Sequence, residues 1–308
     1  MKKLTILPYF ILVSLFATLF ACNKADGSKK NKETILEGST SILVDETLKP
    51  VMEDQIAVFE SVYPAKIAMN AKSEKEVVRS LLNDSLSIAV LSRKLTAEEN
   101  NYFKIKKIIP KVTPFATDGI ALIANEKIQD TLVALNDVVA FLQGKSQMKI
   151  KGLVFDNPNS STVRYMNELA GVSKLPEKGV FSFKTNEEVI KYVSENEGMI
   201  GIVGINWLYQ PSGMMKDIVK KIKVLSVKSS AADQYYAPTQ NNIAEGTYPL
   251  ARDLYIINCQ GSSGLGMGFA SFVAGDRGQR IILKSGLLPV RTPGRLLLMK
   301  NKVNNDKN

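Results

Sequence analysis

The stretch Asp156-Asn157-Pro158-Asn159-Ser160-Ser161-Thr162 puts three hydroxyl side chains between an apolar run, Leu153-Val154-Phe155, and residues Val163, Met166, Leu169 and Ala170 at helical spacing. A strand that runs through hydroxyl residues into a helix start is good geometry for holding an anion. The first N–H groups of a helix have no internal partner and carry partial positive charge. Three more polar stretches share this character: Gly38-Ser39-Thr40-Ser41, Ser92-Arg93 and Thr117-Asp118-Gly119. Each is expected at or near a strand end. Singly, each fits a helix cap or a turn. Together, at equivalent places in successive strand–helix units, they suggest one polar cleft outside the strand ends. Hydroxyls and N–H groups with few charges suit an anion that must be bound and then released.

Much other chemistry is excluded. The chain has no histidine, which removes the commonest general base, most zinc sites and the Ser-His-Asp relay. There is no G-x-S-x-G elbow, Walker loop or calcium-loop spacing. The run Gly261-Ser262-Ser263-Gly264-Leu265-Gly266-Met267-Gly268 fails the dinucleotide spacing and reads as a connection with close backbone packing. No enzymatic activity, metal or cofactor is implied. Of the two cysteines, Cys259 ends a predicted strand and reads as a buried, inert thiol.

The elements that must position these residues alternate. Strands are expected at Thr34–Glu37, Ala65–Met69, Leu86–Leu91, Ile105–Val112, Gly119–Ala124, Met199–Ile205, Val224–Val227 and Leu250–Ile257. Helices are expected over Leu48–Phe59, from the capping box Ser73-Glu74-Lys75-Glu76 onward, from Thr96, over Leu132–Leu142, near Asn186–Glu195 and over residues 267–284. This is an α/β pattern with parallel-sheet units. At 308 residues it predicts two lobes with a cleft between them.

The N-terminus is more specific. Met1-Lys2-Lys3 is basic, residues 4–21 are apolar, and Cys22 follows Ala21. This order resembles a bacterial lipoprotein signal, with Cys22 as the lipid attachment site. The alternative is an uncleaved membrane anchor. Both tether the body outside the cytoplasm. Residues 23–33 are polar and aperiodic and read as a flexible tether of about 18 Å average reach. The net charge of +10 is spread along the chain without any nucleic-acid motif. It favours an anionic ligand or a membrane surface.

Seven segments in order carry a family resemblance: EGSTS…FESVYP, IAVLSRKLTAEE, FATDGIALIAN, VFDNPNSSTVRYMNEL, GMIGIVGINWL, YPLARDLYII and GFASFVAGDRGQRIILKSGLLPV. Over residues 34–293 they resemble the PstS-like substrate-binding lipoproteins of bacterial phosphate ABC transporters, in a Bacteroidetes-type variant. The resemblance implies a two-lobed type II periplasmic binding protein, α/β with a mixed sheet in each lobe and a cleft between lobes. Its divisions would be a signal peptide at 1–21 and a tether at 22–33. Residues 34–116 with about 250–300 would form lobe 1. Residues 117–249 would form lobe 2 with the return crossing, and 301–308 a polar tail. The crossings are expected near Phe115–Asp118 and between Val224 and Arg252.

The implied site comprises Ser39, Thr40, Ser41, Ser92, Arg93, Asp118, Ser160, Ser161, Thr162 and Arg164. The implied ligand is phosphate or a similar oxyanion, and the implied partner an inner-membrane ABC permease. The protein would face the periplasm on a lipid anchor after signal-peptide cleavage. A non-transport interaction protein, partnering a TonB/ExbBD-type energy-transducing complex, is the alternative. Three departures from the family bear on the ligand. Lys72-Ser73-Glu74-Lys75 replaces a Gly-Ser-Gly-type loop. A proton-accepting aspartate falls on Ser92. An arginine before the Ser-Gly-Thr loop falls at or beside Asp156, and that loop's glycine is Ser161. An unpaired carboxylate at Asp156 predicts phosphate binding weaker than the family's, or absent. The alternative is that Asp156 only caps the turn at Asn157-Pro158. Arg93 or Arg164 would have to compensate for the lost arginine.

Overall fold

Alternation of buried and exposed residues starts the first strand, β1 (Gly38–Asp45), with Ile42 and Val44 wholly buried. The computed structural model describes residues 34–294, apart from 85–86, 146–148, 210, 212, 230–232 and 262. The expected signal sequence, Cys22, the expected tether and the 301–308 tail lie outside the described residues. After β1 a short 3₁₀ turn, Glu46–Leu48, leads into α1 (Lys49–Val62), with Pro50 in its first turn where a missing N–H costs nothing. Next come β2 (Ala65–Lys72), α2 (Glu74–Asn83), β3 (Ile88–Leu91) and α3 (Ala97–Ile105). Then β4 (Lys111–Asn125) runs for 15 residues.

The chain continues through β5 (Leu132–Ala134), α4 (Leu135–Leu142), β6 (Gly152–Phe155), α5 (Ser161–Ala170), β7 (Val180–Ser182), α6 (Asn186–Glu195) and β8 (Met199–Gly204). The short α7 (Asn206–Tyr209) and α8 (Met215–Val219) precede β9 (Ile222–Val224), β10 (Ser226–Lys228) and α9 (Gln240–Ala244). The last elements are β11 (Ala251–Asn258), α10 (Leu265–Ala274), α11 (Asp276–Lys284) and β12 (Leu288–Pro289).

One hydrogen-bonded path, β2-β1-β3-β11-β4-β8-β6-β7, joins both lobes. β4 makes the join: its residues to Gly119 pair with β11, and from Ile120 onward they pair with β8. Strands β1, β2 and β3 run parallel in lobe 1, as do β6, β7 and β8 in lobe 2, while β4 is antiparallel to both of its neighbours. Both sheets are therefore mixed. The chain returns antiparallel to β4, with the Ile120 N–H bonded to the Leu250 carbonyl and Arg252 opposite Asp118.

Four expectations need correcting. Gly38–Ser41 is not a loop after a strand at Thr34–Glu37 but the first half of β1. It pairs with β2 alone, because β3 joins only at Ile42. With one side open, short hydroxyl residues fit a strand as well as a turn. Thr117-Asp118-Gly119 is likewise no loop, and of Ile105–Val112 only Lys111-Val112 is strand. The helix α3 reaches Ile105, and β4 then passes straight through Asp118. The 267–284 helix is two helices that break at Gly275, where a side chain would meet the Ser271 carbonyl at 3.0 Å.

The largest apolar cluster runs from Ile42 and Phe59 in lobe 1 through Ile205 and Trp207 to Val154 and Val189 in lobe 2. Phe59 sits wholly buried against Tyr63, Phe269 and Phe272, with ring centroids 4.9, 5.5 and 5.2 Å away. Truncating it removes a large apolar surface and leaves a cavity. Phe59→Ala should cost about 3–5 kcal/mol in urea unfolding, and a loss below about 1 kcal/mol would mean that this cluster does not hold lobe 1.

Candidate functional site

The 156–162 stretch does what a strand-to-helix turn can do with hydroxyls. Ser160 caps α5: its Oγ accepts the Val163 N–H at 3.2 Å and donates to Asp156 Oδ1 at 2.5 Å. Ser161 faces across the cleft, its Oγ 3.0 Å from Thr47 Oγ1 in the β1 turn. The Thr162 hydroxyl is wholly buried and has no hydrogen-bond partner. An orphaned hydroxyl beside a helix N-terminus is costly unless something meets it.

Arg252, on β11, forms the floor. Its Nε and Nη2 donate to Asp118 Oδ2 at 3.1 and 3.0 Å, its Nη1 to Ser161 Oγ at 2.9 Å and its Nη2 to Thr47 Oγ1 at 3.4 Å. Asp118 also accepts the Ile205 N–H at 3.3 Å. The Thr47 carbonyl accepts from Asn206 Nδ2 at 3.0 Å and Trp207 Nε1 at 2.9 Å. Thus β1, the two crossing strands and the start of α5 meet around one guanidinium.

A second knot lies at the rim. Glu74 is only 3% exposed. It accepts Arg164 Nε at 2.6 Å and Nη2 at 3.2 Å, Arg93 Nε at 3.3 Å and the Ser92 hydroxyl at 3.3 Å. Arg93 forks onto Glu99 at 2.8 and 2.9 Å, and Arg164 reaches Glu168 at 2.9 Å. The Lys75 N–H bonds the Asn159 carbonyl at 3.2 Å. A groove of about 510 Å³ opens here, lined by Glu74, Lys75, Arg93, Asn159 and Arg164 among others.

Carboxyls dominate the cleft. Asp156 accepts from Ser160 and from Asn186 Nδ2 at 3.1 Å, and Glu46 from the same Asn186 amide at 2.8 Å. Burial pushes Asp156 up to about 8, and the nearby Glu46 and Asp45 add to this. Burial also pushes Glu46 up to about 7 and Asp45 up to about 6, with Glu74 adding repulsion at Asp45 and Arg252 opposing it. Asp118 is raised by burial and pulled back by Arg252. Burial thus favours the neutral forms of Asp45, Glu46 and Asp156. Asp45 Oδ2, Asn186 Oδ1 and Asn206 Oδ1 are buried without partners, as Thr162 Oγ1 is. Among the described residues no group of acids, cysteines or histidines is arranged to hold a metal ion.

The expected site residues fall into three places. Asp118, Ser160, Ser161 and Thr162 gather at the floor. Ser92, Arg93 and Arg164 gather at the rim around Glu74. Ser39, Thr40 and Ser41 join neither group. Thr40 lies five residues before Asp45, about 16 Å along a strand, and accepts from Gln260 at 3.2 Å. Thr47, one turn past β1, stands where the first loop was expected to contribute. Asp45, Glu46, Thr47, Glu74, Asn186, Asn206 and Arg252 were missed. The apolar run Ile42-Leu43-Val44 ahead of Asp45-Glu46-Thr47 marks the true strand end, and Arg252 stands out as a cation inside YPLARDLYII. Asp156 does not cap the turn at Asn157-Pro158. That turn is closed by Asn157 Oδ1 accepting the Asn159 N–H at 2.9 Å. Arg93 and Arg164 are held by carboxylates.

A two-lobed α/β fold joined by crossing strands, with a polar, carboxyl-rich cleft between the lobes, is the architecture of periplasmic binding proteins. The PBP superfamily domain matches residues 27–277, and the chain belongs to that superfamily. Within it the likeness is to PstS-type periplasmic binding proteins. The phosphate-binding protein PstS of Borreliella burgdorferi is 26% identical over 309 residues, covering 95% of this chain and 100% of that protein. A substrate-binding protein of Clostridium perfringens, solved with bound phosphate, superposes with a TM-score of 0.67 at 21% identity, covering 82% of this chain and all of that one. An ABC-type phosphate transport receptor from Vibrio cholerae gives 0.60 at 19%, covering 82% and 100%. The structural likenesses establish the fold.

The buried acids predict a pH dependence. A carboxyl raised above its unfolded value of 3.8, as Asp156 is, binds more protons folded than unfolded. Its contribution is therefore favourable at acid pH and is lost as pH climbs toward about 8. Urea midpoints should fall between about pH 5 and about pH 8.5, and Asp156→Asn should flatten that fall. A variant with the full wild-type pH slope would place the titration elsewhere.

Proposed function

We propose that the cleft binds an oxyanion, inorganic phosphate first, and that the protein hands it to an ABC permease. The observation that carries this reading is the buried, unpartnered Thr162 hydroxyl in the first turn of α5, beside Ser161, whose own hydroxyl meets Thr47 across the cleft. The likeness to proteins named for phosphate binding supports the ligand class. A carboxyl-rich cleft does not forbid an anion. While they hold protons, Asp156, Glu46 and Asp45 are neutral and can donate to phosphate oxygens; once ionised they repel it. Binding should therefore take up protons and tighten as pH falls. Asp118-Gly119-Ile120 and Leu250–Arg252 would be the crossings about which the lobes open.

Isothermal titration with inorganic phosphate tests this. Thr162→Ala and Ser161→Ala should each weaken binding roughly tenfold or more, the worth of one charge-assisted hydrogen bond. Affinity should be higher at about pH 6 than at about pH 8. Wild-type affinity in both variants would remove the site from the α5 start.

The pairing of Arg93, Arg164 and Arg252 with carboxylates supports a second reading. In it the fold is kept for partner binding at the cell envelope, with a TonB/ExbBD-type complex as the partner. No phosphate binding at either pH would favour it.

Both readings use a lipid anchor. The basic, apolar, Ala21-Cys22 order supports Cys22 as the mature, diacylglycerol-bearing N-terminus of a periplasm-facing lipoprotein. Cys22→Ser should accumulate as an unprocessed precursor on gels of membrane fractions. A mutant of mature size that still partitions into detergent would rule out the anchor.

A further inference from the structure

Four hydrogen bonds from two guanidinium groups and a serine hydroxyl converge on one carboxylate, that of Glu74. Arg164 and Ser92 also touch each other, Nη2 to Oγ at 3.2 Å. This is the donor set an oxyanion takes: planar forks and a hydroxyl around paired oxygens. It spans the cleft, since Ser92 and Arg93 follow β3 in lobe 1 and Arg164 lies on α5 in lobe 2. The guanidinium groups are also held from behind by Glu99 and Glu168. They would keep their aim without Glu74.

Glu74 is not needed to start its own helix. The capping box of α2 is made by Ser73 and Glu76: the Ser73 N–H and hydroxyl donate to Glu76 Oε2 at 3.2 and 2.6 Å. Glu74 adds only a first-turn acid to that helix. Its burial among cations therefore asks for another explanation than helix capping.

We propose that Ser92, Arg93 and Arg164 form an oxyanion seat filled by the protein's own Glu74 carboxylate, so that Glu74 determines which free anions the cleft accepts. A dianion such as phosphate or sulfate gains this seat only when Glu74 is removed or displaced. With Glu74 in place, an approaching anion meets a like charge and satisfied donors. Without it, the seat has spare N–H groups and one less negative charge. The inference deepens the oxyanion reading and rests on it only for the class of ligand. It does not use Thr47, Ser161 or Thr162.

The test is isothermal titration of inorganic phosphate and of sulfate into the wild type, Glu74→Gln, Glu74→Ala, Arg164→Ala and the double variant Glu74→Ala/Arg164→Ala. Circular dichroism and a thermal melt confirm folding of each. Glu74→Ala should bind phosphate at least tenfold more tightly than the wild type, or bind where the wild type does not. Glu74→Gln should gain less, because its amide still fills the space. The double variant should lose the gain. Arg164→Ala alone serves as the background for the double variant: the gain that Glu74→Ala brings should be at least tenfold with Arg164 present and should vanish without it. Folded Glu74 variants that bind no better than the wild type would overturn the proposal. So would a gain in Glu74→Gln or Glu74→Ala that persists undiminished when Arg164 is also replaced by alanine, since the anion would then sit elsewhere. A wild type that binds nothing, beside a Glu74→Ala that binds, sinks the native phosphate reading and keeps this one. A wild type that binds, beside a Glu74→Ala that is no better, does the reverse.

Discussion

Burying one guanidinium constrains everything around Arg252. A charge taken out of water costs several kcal/mol unless nearly every polar hydrogen finds an acceptor. Here the acceptors come from separate parts of the chain: Asp118 on the neighbouring crossing strand, Ser161 at the start of α5 and Thr47 after β1. None can move alone without leaving part of the guanidinium unsatisfied. The pairing of Arg252 opposite Asp118 in the β11–β4 ladder aligns the two crossings. The Ser161 and Thr47 bonds then set how far the lobes approach. Gly204 fits the same constraint, because a side chain there would come within 2.9 Å of Asn206 Nδ2 and 3.2 Å of Asp118 Oδ2.

That single cation does not balance the acids around it. Asp45, Glu46 and Asp156 share the floor with it, and their neutral forms are the ones burial favours. At the floor, burial works against negative charge. The rim manages charge by pairing, with Arg93 and Arg164 set against Glu74, Glu99 and Glu168. Both devices keep the closed cleft near neutrality without a fixed positive field. An anion held there must be recognised by directed hydrogen bonds, since little long-range attraction is left.

The alternating α/β order, the two lobes and the α5 start were legible because each is local. A capping serine, a helix period and a run of β-branched residues lie within a dozen positions of each other. What failed was also local in cause. Gly38–Ser41 looks like a loop because hydroxyl residues serve both turns and half-paired strands. Thr117-Asp118-Gly119 looks like a turn because a polar residue in mid-strand is unusual; its partner, Arg252, is 134 residues away. The Arg164–Glu74 pair spans 90 residues and the Arg252–Thr47 contact 205. No periodicity encodes such pairings. Glu74 was visible as a departure from the family's loop, but only the fold shows that it lies among three residues expected to hold a ligand.

The interlobe contacts differ in kind from the contacts that build the lobes. Within each lobe the sheets bury branched apolar side chains, and exposing those costs free energy in proportion to area. Across the cleft the direct bonds are polar: Thr47 to Ser161, Asn186 to Glu46, Arg164 to Glu74, and the Lys75 N–H to the Asn159 carbonyl. On opening, each would trade a protein partner for water, a net change of about 0.5–1.5 kcal/mol for a neutral pair. Closure built this way is weak enough to reverse yet specific in register, because a displaced hydroxyl or amide has no substitute partner. The apolar cluster through Ile205 and Trp207 is shared by both lobes and by β4 on either side of Asp118, so it ties the lobes together where the strands cross. The same sequence thereby separates the apolar contacts that hold each lobe folded from the polar ones that set the lobes against each other.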